Sequence, residues 1–317
     1  MRVVFLGTPE FAVPTLRALL AAGPKKYDVR GVVTQPDRPA GRGLKLAPSP
    51  VKALAQEAGI PVFQPERIRR DPQIRDTLKD LDPEIMVVVA FGQILPADFF
   101  KYPRFGTLNI HASLLPKYRG AAPIAHAILN GEAETGTTII RIDEGMDTGD
   151  ILSQRVVEIS QDSTTGELEE VLAIQGAELL TDTIPAYVSG ALQPFPQQHD
   201  LASYAPPLKK EQATVAWMKA ALALHNQIRA FNPWPVASSV LRGQTVKIWQ
   251  TVVGPAPVDQ GKPGEILAID RWGITVQCGE STSLTLTQLQ LAGRNRNPAA
   301  DVANGLKLKV GEMFGAE

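Results

Sequence analysis

Cysteine is nearly absent from the 317 residues, and long apolar runs are absent altogether. The single cysteine, Cys278, cannot form a disulfide within the chain, which points to a reducing compartment. The longest apolar stretch, residues 85–91, falls far short of the ~20 residues that a membrane-spanning helix needs. The apolar run at the start is too short for a signal peptide, and Pro9 and Glu10 follow it closely. We therefore expect a cytoplasmic protein without a membrane segment.

Several catalytic and binding motifs are also absent. No G-x-G-x-x-G follows the first predicted strand, and neither a G-x-x-x-x-G-K-[ST] phosphate loop nor a G-x-S-x-G turn occurs. None of the four histidines lies four residues from another, and the aspartates at 143, 147 and 150 miss the calcium-loop spacing. The sequence therefore predicts no dinucleotide site, no nucleotide phosphate loop and no metal.

The first half of the chain alternates strand and helix patterns. Short strand-like segments, separated by helical spacing of apolar residues, lie at 2–6, 29–34, 85–90 and 107–110. This order is typical of the α/β class, with a mainly parallel sheet between helices. After Gly136, the segments 137–142 and 151–159 predict an antiparallel pair of strands. A capping box at 164–167 predicts the start of a long helix.

The second half has a different pattern. Residues 191–207 are rich in proline and poor in apolar anchors, which is typical of a linker between domains. A helix is predicted at 215–230, and closely spaced strand patterns after it suggest a small β-barrel. We therefore expect a catalytic domain at 1–190, a linker at 191–207 and a β-barrel domain at 208–317. From Pro207 onward basic residues outnumber acidic ones by four, which is a weak signal for nucleic acid.

One constellation of polar residues suits acyl transfer without a covalent intermediate. Asn109 and His111 lie two residues apart at the end of a predicted strand, so their side chains share one face if the strand continues through both. Asp147 lies on a glycine-rich turn. An amide and an imidazole can donate to a developing oxyanion, and a carboxylate can help to move a proton. The alternatives are that His111 is a structural residue and that Asp147 only forms the turn.

The loop at 35–50 (QPDRPAGRGLKLAPSP) is the third candidate. Its length of roughly 16 residues exceeds that of most connections in compact domains, which suggests a function. It carries Arg38, Arg42 and Lys45 among prolines and glycines. Such a loop can follow the phosphates of a nucleic acid, or it can be a solvated basic loop without a partner.

These residues carry a resemblance to a known family. The segments 109–116 (NIHASLLP) and 117–123 (KYRGAAP) resemble the signature of the formyltransferases that use 10-formyltetrahydrofolate. Three further segments narrow the resemblance to the branch that acts on charged initiator tRNA: TQPDRPAGRG at 34–43, AETGTTIIRIDEGMDTGDIL at 133–152 and RAFNPWP at 229–235. The similarity covers nearly the whole chain. One departure is Ala112, where glycine often follows the histidine, so the backbone there should not require positive φ.

The resemblance implies a Rossmann-like formyltransferase domain followed by a C-terminal β-barrel that resembles an OB-fold. It implies transfer of the formyl group of 10-formyltetrahydrofolate, a cosubstrate, to the α-amino group of methionine on initiator methionyl-tRNA. This reaction supports translation initiation. The implied catalytic residues are Asn109, His111 and Asp147, and the implied folate-binding residues are Ser113, Leu114, Leu115 and Pro116. The implied tRNA-binding residues are Arg38, Arg42 and Lys45. No protein partner is predicted.

Two rival functions remain open at this point. A related enzyme could formylate a small amine or hydrolyse 10-formyltetrahydrofolate, although the basic loop and the C-terminal domain argue against a small amine. Alternatively, the chain could be a non-catalytic RNA-binding module. The set of Asn109, His111 and Asp147 argues against that reading.

Overall fold

The structure, a computed structural model, describes residues 1–40, 45–254 and 261–315. The chain forms two compact units. The first contains Met1–Pro123, Glu134–Glu158 and Glu169–Ala205, and the second contains Ile124–Ala133, Ile159–Leu168 and Pro206–Glu317. No helix in the described ranges combines the length and the apolar character needed to cross a bilayer.

The elements of the first part of the chain alternate between strand and helix, as predicted. The strands are β1 (Arg2–Gly7), β2 (Asp28–Val33), β3 (Arg38–Ala40), β4 (Lys45–Ala47), β5 (Val62–Phe63), β6 (Ile85–Val89), β7 (Thr107–His111), β8 (Arg119–Gly120), β9 (Glu134–Arg141), β10 (Ile151–Glu158) and β11 (Tyr204–Ala205). The helices are α1 (Val13–Ala21), α2 (Pro50–Glu57), α3 (Pro72–Asp80), α4 (Ala97–Phe100), α5 (Pro123–Leu129) and α6 (Thr165–Val188).

A seven-stranded sheet forms the centre of the first unit, in the order β10-β9-β7-β6-β1-β2-β5. The five strands from β7 to β5 are parallel, and β9 and β10 run antiparallel to their neighbours. The α/β class and the mainly parallel sheet are thus confirmed. Alternate residues of β1 enter two different cores: Val3 and Phe5 pack on one face of the sheet, and Val4 and Leu6 pack on the other. The sheet is therefore covered on both faces.

The predicted capping box is present at the start of α6. The Thr164 backbone N–H donates to Glu167 Oε2 at 2.9 Å, and the Glu167 N–H donates to Thr164 Oγ1 at 3.3 Å. These two bonds satisfy donors that a helix leaves free at its first turn.

Two local predictions were wrong. The segment at 35–50 is not a plain loop, because β3 and β4 within it pair as an antiparallel hairpin. The predicted helix at 215–230 begins only at Ala221, as the helix α7 (Ala221–Ala230). The residues before it pair with strands instead: Thr214 bridges Ser238, and Ala220 bridges Gly279. Tertiary pairing overrides the local apolar spacing there.

The second unit is built on a six-stranded sheet. Its strands are β12 (Ser238–Leu241), β13 (Gln244–Val253), β14 (Ile266–Asp270), β15 (Gly273–Gln277), β16 (Ser283–Leu291) and β17 (Arg296–Pro298), and its later helices are α7 and α8 (Ala299–Leu306). The order is β12-β13-β16-β15-β14, with β17 beside β16. The described strands thus form a sheet domain, and the predicted closure into a barrel is not seen in this strand order. The residues at 313–314 make isolated bridges to Glu265 and Leu241.

Candidate active site

Strand β7 places the predicted amide and imidazole on one face of the sheet. β7 continues through both Asn109 and His111, so their side chains point the same way. Asn109 pairs in register with Val88 of β6 and Ile140 of β9 at the carboxyl end of the parallel strands, where ligands bind in open α/β sheets. Its side-chain amide makes no hydrogen bond to any residue that the structure describes, so both its donor and its acceptor are available to a ligand.

The imidazole of His111 is buried, and one of its two ring nitrogens is hydrogen-bonded to the backbone. Its Nε2 donates to the carbonyl oxygen of Tyr118 at 2.9 Å, since a carbonyl can only accept. In the neutral ring this leaves Nδ1 without a proton. Nδ1 lies 3.7 Å from Oδ2 of Asp147, which is longer than a direct hydrogen bond. The nitrogen that is free for chemistry therefore faces the carboxylate.

The turn at 143–150 presents Asp147 toward the imidazole. The bonds that shape the turn come from Asp143, whose Oδ1 accepts from the Gly145 N–H at 3.0 Å and from Thr148 Oγ1 at 2.6 Å. Asp147 itself has a φ of 53°. Aspartate tolerates this left-handed conformation better than most residues, but it still costs energy and persists only where the surroundings fix it. Turn formation is thus assigned to Asp143, and the Asp147 carboxylate is directed into the site.

Three contacts around this pair were missed by the sequence reasoning. The Gly120 N–H donates to Asp147 Oδ2 at 2.9 Å. Gln197 donates through Nε2 to the carbonyl oxygens of Asp147 and Gly149, at 2.8 and 2.7 Å. The third contact is the Tyr118 carbonyl on His111. The motif 117–123 marked the segment that makes the first and third contacts but not the contacts themselves, and nothing in the sequence pattern marked Gln197, which is 50 residues from Asp147.

The predicted folate-binding segment is held in place by its buried residues. Ser113 is fully buried, and its Oγ donates to the Lys117 carbonyl at 2.6 Å. Leu115 packs in a small apolar cluster with Ile140 and Ile151. Leu114 and Pro116 are only partly buried, so they and the backbone form the accessible part of the segment. Ala112 is not among the residues with positive φ, as the sequence reasoning required.

The predicted tRNA-binding residues belong to the β3–β4 hairpin. Arg38 is exposed on β3. Arg42 and the side chain of Lys45 lie outside the described residues. At the base of the hairpin, Lys52 of α2 donates to Asp37 Oδ2 at 2.6 Å and to Gln64 Oε1 at 2.7 Å. The structure therefore shows how the hairpin is attached, and tRNA binding stays a prediction.

Comparison with known proteins decides the family. Residues 1–184 match the family model described as formyl transferase, and residues 207–307 match its C-terminal domain. A methionyl-tRNA formyltransferase of Bacillus licheniformis is 45% identical over 314 residues, covering 99% of this chain and 98% of that protein. One of Geobacter sulfurreducens is 47% identical over 315 residues, covering 99% and 97%. The chain belongs to the methionyl-tRNA formyltransferase family.

A solved structure agrees in fold with this member of the family. WlaRD, a sugar 3N-formyl transferase crystallised in the presence of dTDP and 5-N-formyl-THF, matches 93% of the chain and 99% of its own length, with a TM-score of 0.66 and 20% identity. At this identity the likeness concerns the fold alone. The resemblance seen in the sequence motifs is thus confirmed at the level of the family.

Proposed function

We propose that Asn109, His111 and Asp147 perform the reaction for which the family is named. The formyl group passes from 10-formyltetrahydrofolate to the α-amino group of methionine esterified to initiator tRNA. The observation that supports this assignment is the meeting of His111 Nδ1 with the Asp147 carboxylate at the end of β7, on the face where Asn109 presents a free amide. An electrophilic carbon held beside these groups has oxyanion donors and a proton acceptor within reach.

The reaction needs one new bond and one proton transfer. The neutral amine attacks the formyl carbon, and the carbonyl oxygen becomes an oxyanion that Asn109 and His111 stabilise; a preorganised donor is worth roughly 3 kcal/mol. The bond from the carbon to N10 of the folate then breaks. The proton lost by the amine ends on N10, and Asp147 relays it. Because Nε2 of His111 is bonded to the Tyr118 carbonyl, Nδ1 is the imidazole nitrogen that faces the reacting groups.

The two substrates are proposed to meet on the first unit. The segment Ser113–Leu114–Leu115–Pro116 contacts the folate through its backbone and through Leu114 and Pro116, its partly exposed side chains. The hairpin with Arg38, Arg42 and Lys45 contacts phosphates at the acceptor end of the tRNA. We further propose that residues 1–190 form the catalytic domain and 208–317 a tRNA-binding domain whose sheet closes into an OB-like barrel through the bridges at 313–314. The tRNA substrate places the reaction in the cytoplasm.

The assignment is tested by turnover of charged initiator tRNA. With 10-formyltetrahydrofolate, the parent protein is expected to produce formyl-methionyl-tRNA. Asp147→Asn and His111→Ala are each expected to lower kcat by about 10²–10⁴, the range for loss of acid–base help. The matched control is Asp76→Asn, because Asp76 is exposed on α3 and away from β7. Turnover near that of the parent in either site variant would remove the assignment.

The rival functions give different products in the same assay. Release of formate without formyl-methionyl-tRNA would identify a hydrolase of 10-formyltetrahydrofolate. Binding of tRNA with neither product would identify an RNA-binding module. The juxtaposition of His111 and Asp147 favours the transfer reaction over both.

A further inference from the structure

Residues 195–205 hold the backbone around the His111–Asp147 pair. We propose that Arg119 and Gln197 are positioning residues for formyl transfer, and that they act through the turn that carries Asp147. The inference rests on the proposed function, because it assumes that Asp147 takes part in the reaction. It gives a positioning role to a residue of the segment 191–207, whose composition predicts a linker.

The segment Tyr118–Arg119–Gly120 contacts both members of the pair. Its first residue accepts from His111 Nε2, and its third donates to Asp147 Oδ2, both at 2.9 Å. A shift of these three residues therefore moves the imidazole and the carboxylate together.

This segment is fixed by strand pairing with β11. The Arg119 N–H donates to the Ser203 carbonyl and the Ala121 N–H donates to the Ala205 carbonyl, each at 2.9 Å. The Tyr118 N–H donates to Ser203 Oγ at 2.9 Å. The approach is so close that a Cβ on Gly120, whose φ is +115°, would lie 2.8 Å from the Ala205 carbonyl oxygen. Glycine at this position is therefore needed both for conformation and for space.

The side chain of Arg119 connects this segment, through Gln197, to the turn that carries Asp147. It is 2% exposed and makes no ion pair with any carboxylate in the described part of the chain. Its guanidinium donates to Gln197 Oε1, at 2.6 Å from Nη2 and 3.2 Å from Nε, and to His199 Nδ1 at 3.0 Å. With its oxygen occupied in this way, Gln197 can only turn its NH₂ toward the carbonyls of Asp147 and Gly149.

Both polar atoms of the Gln197 side-chain amide, the oxygen and the nitrogen, therefore make hydrogen bonds. Gln197 is 5% exposed, and the two N–H groups of its amide satisfy two carbonyls of a turn in which Asp147 adopts a left-handed φ. A strained backbone persists where its surroundings over-determine it. Gln197, itself bonded by Arg119, supplies part of that determination.

The test measures kcat and KM separately for Gln197→Leu, which keeps the approximate size and removes the amide. A displacement of about 1 Å in a catalytic group can cost roughly 10²-fold in rate. We expect kcat to fall tenfold or more, with the KM for charged tRNA and the KM for 10-formyltetrahydrofolate within threefold of the parent. Arg119→Met is expected to act in the same direction. Gln198→Leu is the matched control, because Gln198 is adjacent and exposed.

A double variant separates positioning from general damage. If Gln197 acts through Asp147, Gln197→Leu has little further effect on single-turnover rate in an Asp147→Asn background, and a further tenfold loss contradicts the proposal. A Gln197→Leu kcat within twofold of the parent, or equal increases in both KM values, also overturns it. If Gln197→Leu does not fold, Gln197→Asn, which keeps a shorter amide, is measured against the same limits. Normal turnover of Asp147→Asn alone would instead refute the proposed function.

Discussion

The hydroxyl of Thr138 offers a sharp test of how the predicted folate segment is held. Thr138 lies on β9 and is fully buried. Its Oγ1 donates to the Ser113 carbonyl at 2.6 Å, and it accepts from the Leu115 N–H at 3.1 Å and from Gln154 Nε2 at 2.9 Å. One hydroxyl therefore ties both ends of the turn 113–115 to the central sheet. Thr138→Val removes all three bonds while nearly keeping the shape of the side chain.

The expected cost follows from the groups that lose their partners. Within the described ranges, the Ser113 carbonyl and the Leu115 N–H have no other hydrogen-bond partner. Gln154 keeps its bond to the Leu115 carbonyl at 2.9 Å. Each buried and unpaired backbone group costs about 1–3 kcal/mol. Thr138→Val is thus expected to lower the free energy of unfolding of the first unit by about 2–6 kcal/mol, and Tm by at least roughly 4 °C.

The assay is thermal unfolding followed by far-UV circular dichroism, because all four tryptophans lie in the second unit. Thr138→Ser is the control, since it keeps the hydroxyl and loses only a methyl group, at about 1 kcal/mol. The KM for 10-formyltetrahydrofolate is expected to rise in the valine variant and to stay near the parent value in the serine variant. Equal losses of stability in the two variants would show that the hydroxyl does not hold the segment.

Three further predictions concern other parts of the chain. Arg38→Ala is expected to reduce the slope of log affinity for tRNA against log salt concentration by roughly one unit. The control is Arg17→Ala, at an exposed position of α1, which should leave the slope unchanged. Equal slopes for the two variants contradict the hairpin contact. Burial raises the pKa of the Cys278 thiol to about 12, so thiol reagents should label it only after denaturation, and labelling of the native protein at neutral pH contradicts this. The Lys52 hydrogen bond lowers the pKa of the Asp37 carboxyl, so its stabilising effect is present above the ordinary carboxyl pKa and is lost as pH falls through the lowered value. Lys52→Met is therefore expected to lower Tm at neutral pH and to converge with the parent in acid, and parallel curves contradict it.

The sequence predicts structure best where patterns among neighbouring residues determine it. The apolar runs of β1 and β6 predict buried strands of a covered parallel sheet, and the shared face of Asn109 and His111 follows from the period of a strand. The helix at 215–230 was predicted too long, because its first residues satisfy their backbone groups by bridging to Ser238 and Gly279. The local sequence at 215–230 does not show which residues form these bridges.

The site shows the same division between local and distant causes. The positions of Asn109 and Asp147 could be marked from the residue types and their neighbours. The contact that orients His111 could not, because a carbonyl oxygen has no sequence signature and any residue at position 118 supplies one. The hairpin β3–β4 was missed for a related reason: its strands have three residues each, too few to show an alternating pattern.

The proline content of the segment 191–207 predicts a linker. Proline removes a backbone donor and favours extended conformations, and these properties suit both a free tether and a strand that runs along a surface. The difference lies in the residues between the prolines. Phe195 bridges Ile151, Gln197 donates to the backbone of the turn that carries Asp147, and β11 pairs with β8. Gln197 is 5% exposed, and its side-chain amide has all its hydrogen bonds satisfied. A flexible linker would leave such a polar side chain in solvent. The burial of Gln197 therefore supports the proposal that this segment contributes to the site.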